Sequence, residues 1–469
     1  MDDSQPFAYR LRAFRRNASR ARLLLIVLTI YGCSSPEPPR PPSWLAADFS
    51  ELAKSVAALR RLPLKRDIAI ESLSTSKNEI EPKGPRVDDY QGLPALQVER
   101  AYKSIGLLPN DADLAKALAD YRRLEDLIRY DTGKGTVTLT RDAAKFGAPF
   151  EKANPRTARE APAVLGIVKA LQQQHFNGSA TANSIFLEDR LLAFRALATA
   201  DALLTVIARA KGKDSIKLSA SDIDIAHRLA AEIDKLSAAL PDFLRRKLSF
   251  PYREGISFVF WAFAAKGWDG VNALYANPPL TTAQVLHPEI YFVRHVEPLF
   301  FFPAGLIRGA GESSVIEQSF GEYLIRALLE SQHSWKYAAD TAAPWRGDQL
   351  FHFQAGGDPV TAWFSAWESE KQAREFHRAY QAVVERRQRL RFRPASDNDD
   401  DALIADTRDR GAFLLQVKGP VVLLLNVTPA GRLQKLAEET WKDLEIEPES
   451  KVIPFESAKP ANQLSLRSR

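Results

Sequence analysis

The residues able to move a proton or hold a metal ion are few and far apart. His175 nearly ends the run K-A-L-Q-Q-Q-H-F (169–176), Glu254 lies in Y-R-E-G (252–255), and His287 opens H-P-E (287–289). A metal-dependent hydrolase built from these three would have to gather them within about 4 Å of one point, because metal–ligand bonds are short. The single cysteine, Cys33, excludes an intramolecular disulfide and a thiolate metal cage. The acidic loop S-D-N-D-D-D (396–401) lacks the glycine and closing glutamate of a calcium hand, and reads as a solvated turn. There is no glycine-rich phosphate loop and no Gly-x-Ser-x-Gly elbow.

The elements that must position these groups centre on residues 161–208. Residues 161–176 and 185–208 place apolar side chains at three- and four-residue steps over more than three turns, so they read as two helices joined by a turn. Pro162 fits a first helical position, where a missing N–H is harmless. Just upstream, residues 130–141 hold a glycine turn and then Val137 and Leu139 between threonines, the period of a half-buried strand.

The run ending in Q-Q-Q-H-F resembles the tail of the active helix in a family of exported, gluzincin-type zinc peptidases, whose helix reads H-E-L-x-H-A-L-Q-D-Q-H-F. The segment A-L-A-T-A-D-A (196–202) resembles that family's A-L-x-E-G-D-A. L-R-R-L-P-L-K-R (59–66), G-W-D-G-V-N-A-L-Y-A-N-P-P (267–279), T-T-A-Q-V-L-H-P-E-I-Y (281–291) and A-A-P-W-R-G-D-Q-L (342–350) are further islands of likeness, spread over roughly residues 46–445. Laid on the family pattern, the two metal-binding histidines fall on Leu165 and Lys169, the general-base glutamate on Gly166 and the third ligand on Thr199. None of the four can serve: leucine offers no lone pair, glycine no side chain, and an ammonium repels a dication. The resemblance therefore implies a zincin-like scaffold with no cofactor, in which an edge strand before the active helix lines a cleft and could pair with an extended peptide. Lys169 would fill the vacated metal position, paired with Asp201 or Glu254, since a buried lysine needs a carboxylate. The alternative is that its stem snorkels and its amine meets solvent.

Composition sets the class. With 469 residues, 45 % hydrophobic and 26 % charged, the chain is an ordinary globular protein of two or three domains. Its net charge of +6 is concentrated at the start, where residues 1–32 hold six arginines against Asp2 and Asp3. The remainder gives no reason to expect nucleic acid, and the basic stretch 385–393 reads as a solvated helix end. The arginine-rich start, the short apolar run 23–30 and the Y-G-C-S-S that follows form an export signal too short to span a bilayer. Cys33 just after Gly32 resembles a bacterial lipobox, which makes Cys33 a lipidation site and the membrane a partner. Ser34 is not the aspartate that retains lipoproteins at an inner membrane, so the outer membrane is the expected destination. Residues 33–45 are proline-rich and suit a semi-extended tether.

Along the rest of the chain, helices are expected at 46–62, 97–105, 112–128, 219–240 (capped by Ser221 or Asp222), 251–265 (stopped by Gly267), 311–332, 369–389 and 429–444. Strands are expected near 68–70 and at 349–355, 360–367, 402–407, 412–418 and 421–427. This is an α+β arrangement, a mainly helical core with a small edge sheet and a C-terminal strand meander. The expected divisions are a signal peptide 1–32, the tether 33–45, a degenerate zincin-like region 46–345, an α+β region 346–445 packed on it, and a loose tail 446–469. The function these residues suggest is an inactive metallopeptidase homologue, lipid-anchored in the cell envelope, that binds a peptide or protein. Two alternatives stand beside it: an active hydrolase using His175, His287 and Glu254, and a purely structural envelope component whose groove is filled.

Overall fold

The computed structural model describes residues 43–73, 95–151, 154–178, 187–212, 217–311, 315–396 and 400–448. Cys33, the export signal and most of the tether lie outside these residues, although helix α1 (Ser43–Arg60) takes in the tether's last three positions. Strand β1 (Ala69–Leu73) follows, then helices α2 (Ala95–Ser104) and α3 (Leu114–Glu125), and a hairpin of β2 (Ile128–Asp131) and β3 (Thr136–Thr140). The helix expected over 112–128 therefore stops early, and its last residue begins a strand. In the three-stranded sheet the order is β1-β3-β2, with β1 parallel and β2 antiparallel to β3. β3 is thus central, not the edge strand expected before the active helix, and all five of its residues are buried; β1 and β2 are the two edges.

Helix α4 (Pro155–Phe176) starts seven residues earlier than the periodicity suggests. Asn154 caps it by accepting hydrogen bonds from the amides of Arg156 and Thr157, both 3.1 Å, and Pro155 takes the first position. Pro162 lies inside the helix instead. Helix α5 (Glu188–Lys211) is apolar and long enough to cross a membrane by composition, but 83 % of its most apolar stretch is buried inside this protein. Helix α6 (Ala220–Leu236) packs on α7 (Asp242–Arg253), and α7, α8 (Gly255–Ala276) and the short α9 (Thr282–Leu286) pack around α5. Ser219 caps α6 through a reciprocal box with Asp222. Gly267 bends α8 at φ 58° and the helix then resumes, where the sequence suggested a stop.

The C-terminal half adds β4 (Leu299–Pro303), α10 (Ala304–Arg308), β5 (Ile316–Gln318), α11 (Gly321–Glu330), α12 (Trp335–Ala342), β6 (Trp345–Ala355), β7 (Asp358–Trp367) and α13 (Glu370–Gln388). It ends with β8 (Arg393–Pro394), β9 (Ala402–Asp406), β10 (Ala412–Lys418), β11 (Val421–Val427), α14 (Leu433–Lys442) and β12 (Leu444–Pro448). Seven strands form one sheet in the order β5-β6-β7-β11-β10-β9-β8, antiparallel throughout. The single helix expected over 311–332 divides into β5 and α11, because 316–318 pairs with β6. Residues 444–448, assigned in part to a loose tail, pair with β4.

Both faces of the large sheet are covered. Trp363 and Trp367 face α13 and the helical half, while Phe364 and Ala366 between them face a second core with Phe301, Leu423 and Leu425. That is why β11 opens with five consecutive apolar residues, 421–425, rather than an alternation. The molecule is α+β.

Candidate functional site

Four of the segments singled out above meet at one buried ion pair. Arg60, from the end of α1, and Asp201, in α5, both have fully buried side chains, and the guanidinium grips the carboxylate through Nε at 2.6 Å and a terminal nitrogen at 3.1 Å. Asp201 also accepts from Gln172 Nε2 at 3.1 Å and from the Tyr275 hydroxyl at 2.7 Å. Arg60 donates to Asn272 at 2.7 Å and lies over the Trp268 ring at 4.6 Å. Burial first, then the Asp201 charge, push the Tyr275 phenol well up, so it stays a donor. Four separated segments, 59–66, 169–176, 196–202 and 267–279, thereby share one network that fixes α1, α4, α5 and α8 together. A buried pair of this kind is tolerable only because its remaining donors and acceptors are met.

A second buried cluster joins α5, α9, α11, β6 and β7. Asp348, before the middle of β6, accepts from the indoles of Trp345 (3.1 Å) and Trp363 (3.0 Å) and from the amides of Phe320 (2.9 Å) and Gly321 (2.8 Å). Asp189 accepts from the Thr282 amide at 2.9 Å and hydroxyl at 2.5 Å. Gly321, at φ 70°, is pressed against the Asp189 carboxylate, and a Cβ there would collide with it. Desolvation drives Asp189 up to about 7. The cluster binds the helical half to the large sheet and leaves the carboxylates no open face.

Beside the ion pair lies a cleft of about 300 Å³, walled by β2, α3, α4, α5 and α7. Lys169 and Thr199 line it, and so do Arg195, Lys247 and Tyr252. The Leu127 carbonyl accepts from the Thr140 amide at 3.0 Å, so in the β2–β3 register Ile128 and Tyr130 turn their amide groups away from β3. Lys169 Nζ donates to the outward carbonyl of Ile128 at 2.7 Å. Arg195 bridges Glu125 at 2.8 Å and donates to Tyr121 at 2.7 Å. Lys247, only 6 % exposed, meets Glu188 at 2.5 Å and sits over the Tyr121 ring.

The four positions aligned with catalytic groups are placed unequally. Lys169 and Thr199 face the cleft. Leu165 is 4 % exposed in the core, and Gly166 faces β3, where a Cβ would collide with Val137 Cγ1 and sit 3.4 Å from Ile128 Cγ2. The expected pairing of Lys169 with Asp201 is not made, because Arg60, Gln172 and Tyr275 already occupy the Asp201 oxygens. Glu254 closes α7 near Glu322 and Tyr323 of α11, whose pKa values are raised first by burial and to a lesser degree by its charge, so it lies in that neighbourhood. His175 contacts the Pro63 carbonyl at 2.7 Å, and His287 contacts Glu322 at 2.9 Å, which raises the His287 pKa. These two histidines and Glu254 are therefore not brought to one point. Among the described residues, no group of three or more His, Cys, Asp or Glu side chains is placed to hold a metal ion.

Arg60, Gln172, Tyr275, Lys247 and Asp348 were not singled out from the sequence. Four of them lie inside the islands of likeness, which was the available signal; Lys247 had none.

A family model described as a domain of unknown function (DUF8575) matches residues 312–437. That span holds the seven strands of the large sheet with α11, α12 and α13, and leaves α4 and α5 outside. No curated protein matches the chain, and no solved structure matches it.

Proposed function

We propose that this is a lipid-anchored protein of the cell envelope, an inactive metallopeptidase homologue that binds an extended peptide in the cleft over α4 and α5. The observation that carries the reading is the cleft itself: open beside Lys169 and Thr199, rimmed by the outward edge of β2, and closed by Val137 at the position of the missing base. A filled groove would have favoured a structural component. Edge pairing supplies backbone hydrogen bonds for affinity, while the cleft admits side chains for selection.

The test is retention of peptides from a random library on the full chain, compared with Thr199→Trp, which fills the cleft. Intact peptides retained by the parent and lost by the variant are expected. Equal retention by both would place the binding elsewhere and end the proposal, and hydrolysed peptides would end its inactive part.

A further inference from the structure

The basic stretch 385–393 is part of a larger exposed surface. Helix α13 buries Ala373, Phe376, Tyr380, Val383 and Val384, which turns Arg378, Ala382, Arg386 and Arg389 to solvent along its other side. Among the described residues, Arg378, Arg386 and Arg389 make no hydrogen bond and no ion pair. Glu385 beside them is already met by Arg391 at 2.7 Å and by the Phe392 amide at 3.0 Å. Glu375, a turn before Arg378, lowers the positive balance without cancelling it. A hollow of about 580 Å³ lies at this end of the helix, lined by Gln332 and by residues between 382 and 391. Helix α12 stands next to it: His333 donates to the Ala379 carbonyl at 2.9 Å, and the Tyr337 ring lies 5.0 Å from the His333 ring. Trp335, which opens α12, is 67 % exposed and Tyr337 is 37 % exposed. Indole and phenol rings, apolar in body and polar at the tip, suit the headgroup region of a bilayer, and the guanidinium fork matches a phosphate.

We infer that the start of α12 and the C-terminal half of α13 form a surface that docks on an anionic phospholipid bilayer, with Trp335 and Tyr337 among the headgroups and Arg378, Arg386 and Arg389 against lipid phosphates; this rests on the membrane part of the reading above. The arginines are spread along roughly 17 Å of helix, more than one small anion can meet, so the partner is an extended anionic surface. The hollow is confined to the end of α13, and no long groove follows the cations as a nucleic-acid strand would require.

The experiment mixes the full chain with vesicles of phosphatidylcholine, alone or with phosphatidylglycerol, whose acyl chains are brominated near the headgroup. Sedimentation reports whether the chain reaches the bilayer at all, and quenching of Trp335, taken as the difference between the parent and Trp335→Phe, reports docking of this surface. Trp335 is expected to be quenched on the mixed vesicles, not on the neutral ones, and to be released by high salt. Arg386→Gln with Arg389→Gln should weaken docking by roughly twenty- to thirtyfold, about fivefold for each arginine, while Arg386→Lys with Arg389→Lys keeps most of it. Both pairs should melt as the parent does, since the side chains are exposed and unpaired. Quenching that survives the glutamine pair, that is equal on neutral vesicles, or that is absent from a chain that sediments overturns the docking surface and leaves the membrane reading standing. A chain that does not sediment overturns both. Retention of single-stranded DNA that needs the same arginines, without quenching on vesicles, overturns the lipid partner in favour of nucleic acid.

Discussion

Asp201 shows how one residue can be structural where its setting suggests chemistry. Its carboxylate is saturated by Arg60, Gln172 and Tyr275 and sealed from solvent. Removing it strands a buried guanidinium, so Asp201→Leu should lower the free energy of unfolding by roughly 3–5 kcal/mol in urea titrations. The double variant Arg60→Met with Asp201→Leu should be more stable than Asp201→Leu alone, because no uncompensated charge remains. Asp189 makes a second prediction. Its pKa is about 7 in the fold against an ordinary 3.8, so the folded state keeps a proton that the unfolded chain releases. Stability should therefore fall as pH rises from about 4 to about 7, by up to roughly 4 kcal/mol, and level off above. His287, raised by Glu322, adds to the fall above its ordinary 6.5. Unfolding measured across this range should show a shallower slope in Asp189→Asn; an unchanged slope would discard the assignment.

At the scale of elements, the close approach of α4 to β3 decides what the central helix can do. Gly166 is the contact point, and Val137 occupies the space a side chain would need. On a free helix surface a glycine-to-alanine change stabilises by about 1 kcal/mol. Here Gly166→Ala should instead destabilise by about 1–3 kcal/mol, and Val137→Ala in the same chain should recover part of that, as thermal melts can check. A glutamate placed at 166 would need the same relief, since its Cβ would meet Val137 as an alanine's does. Helices α1, α4, α5 and α13 were readable because apolar residues repeat every three or four positions, and β7, β10 and β11 because they are apolar and bounded by turns. The start of α4 was missed because its polar first turn has no periodicity, although Asn154-Pro155 is a sound cap signal. Helix α7 was missed because Pro251, which lies inside it, reads as the start of a helix, and β5 and β12 because pairing with distant strands overrode local spacing.

The whole molecule depends on the joint between the helical half and the large sheet. The Tyr380 hydroxyl donates to the Ile105 carbonyl at 2.7 Å, Gln388 to the Lys103 carbonyl at 2.6 Å, and Asn426 to the Ser104 hydroxyl at 2.9 Å, so α13 and β11 hold the end of α2. Tyr380→Phe leaves a buried carbonyl unmet and should cost about 1–3 kcal/mol, read as a lower urea midpoint for the whole protein. The α+β class was readable from composition and periodicity. The joint was not, since single long-range hydrogen bonds leave no pattern in the chain. The candidate site was partly readable. Likeness to a peptidase helix drew attention to Lys169 and Thr199, while the closure at Gly166 and the partners of Asp201 depend on contacts between segments far apart in sequence.

The central claim is a cleft that holds peptides without cutting them, and the most direct measurement is mass spectrometry of a random peptide mixture incubated with the full chain and added zinc. The account predicts that no new peptide termini form. New termini that vanish when the zinc is chelated would contradict it.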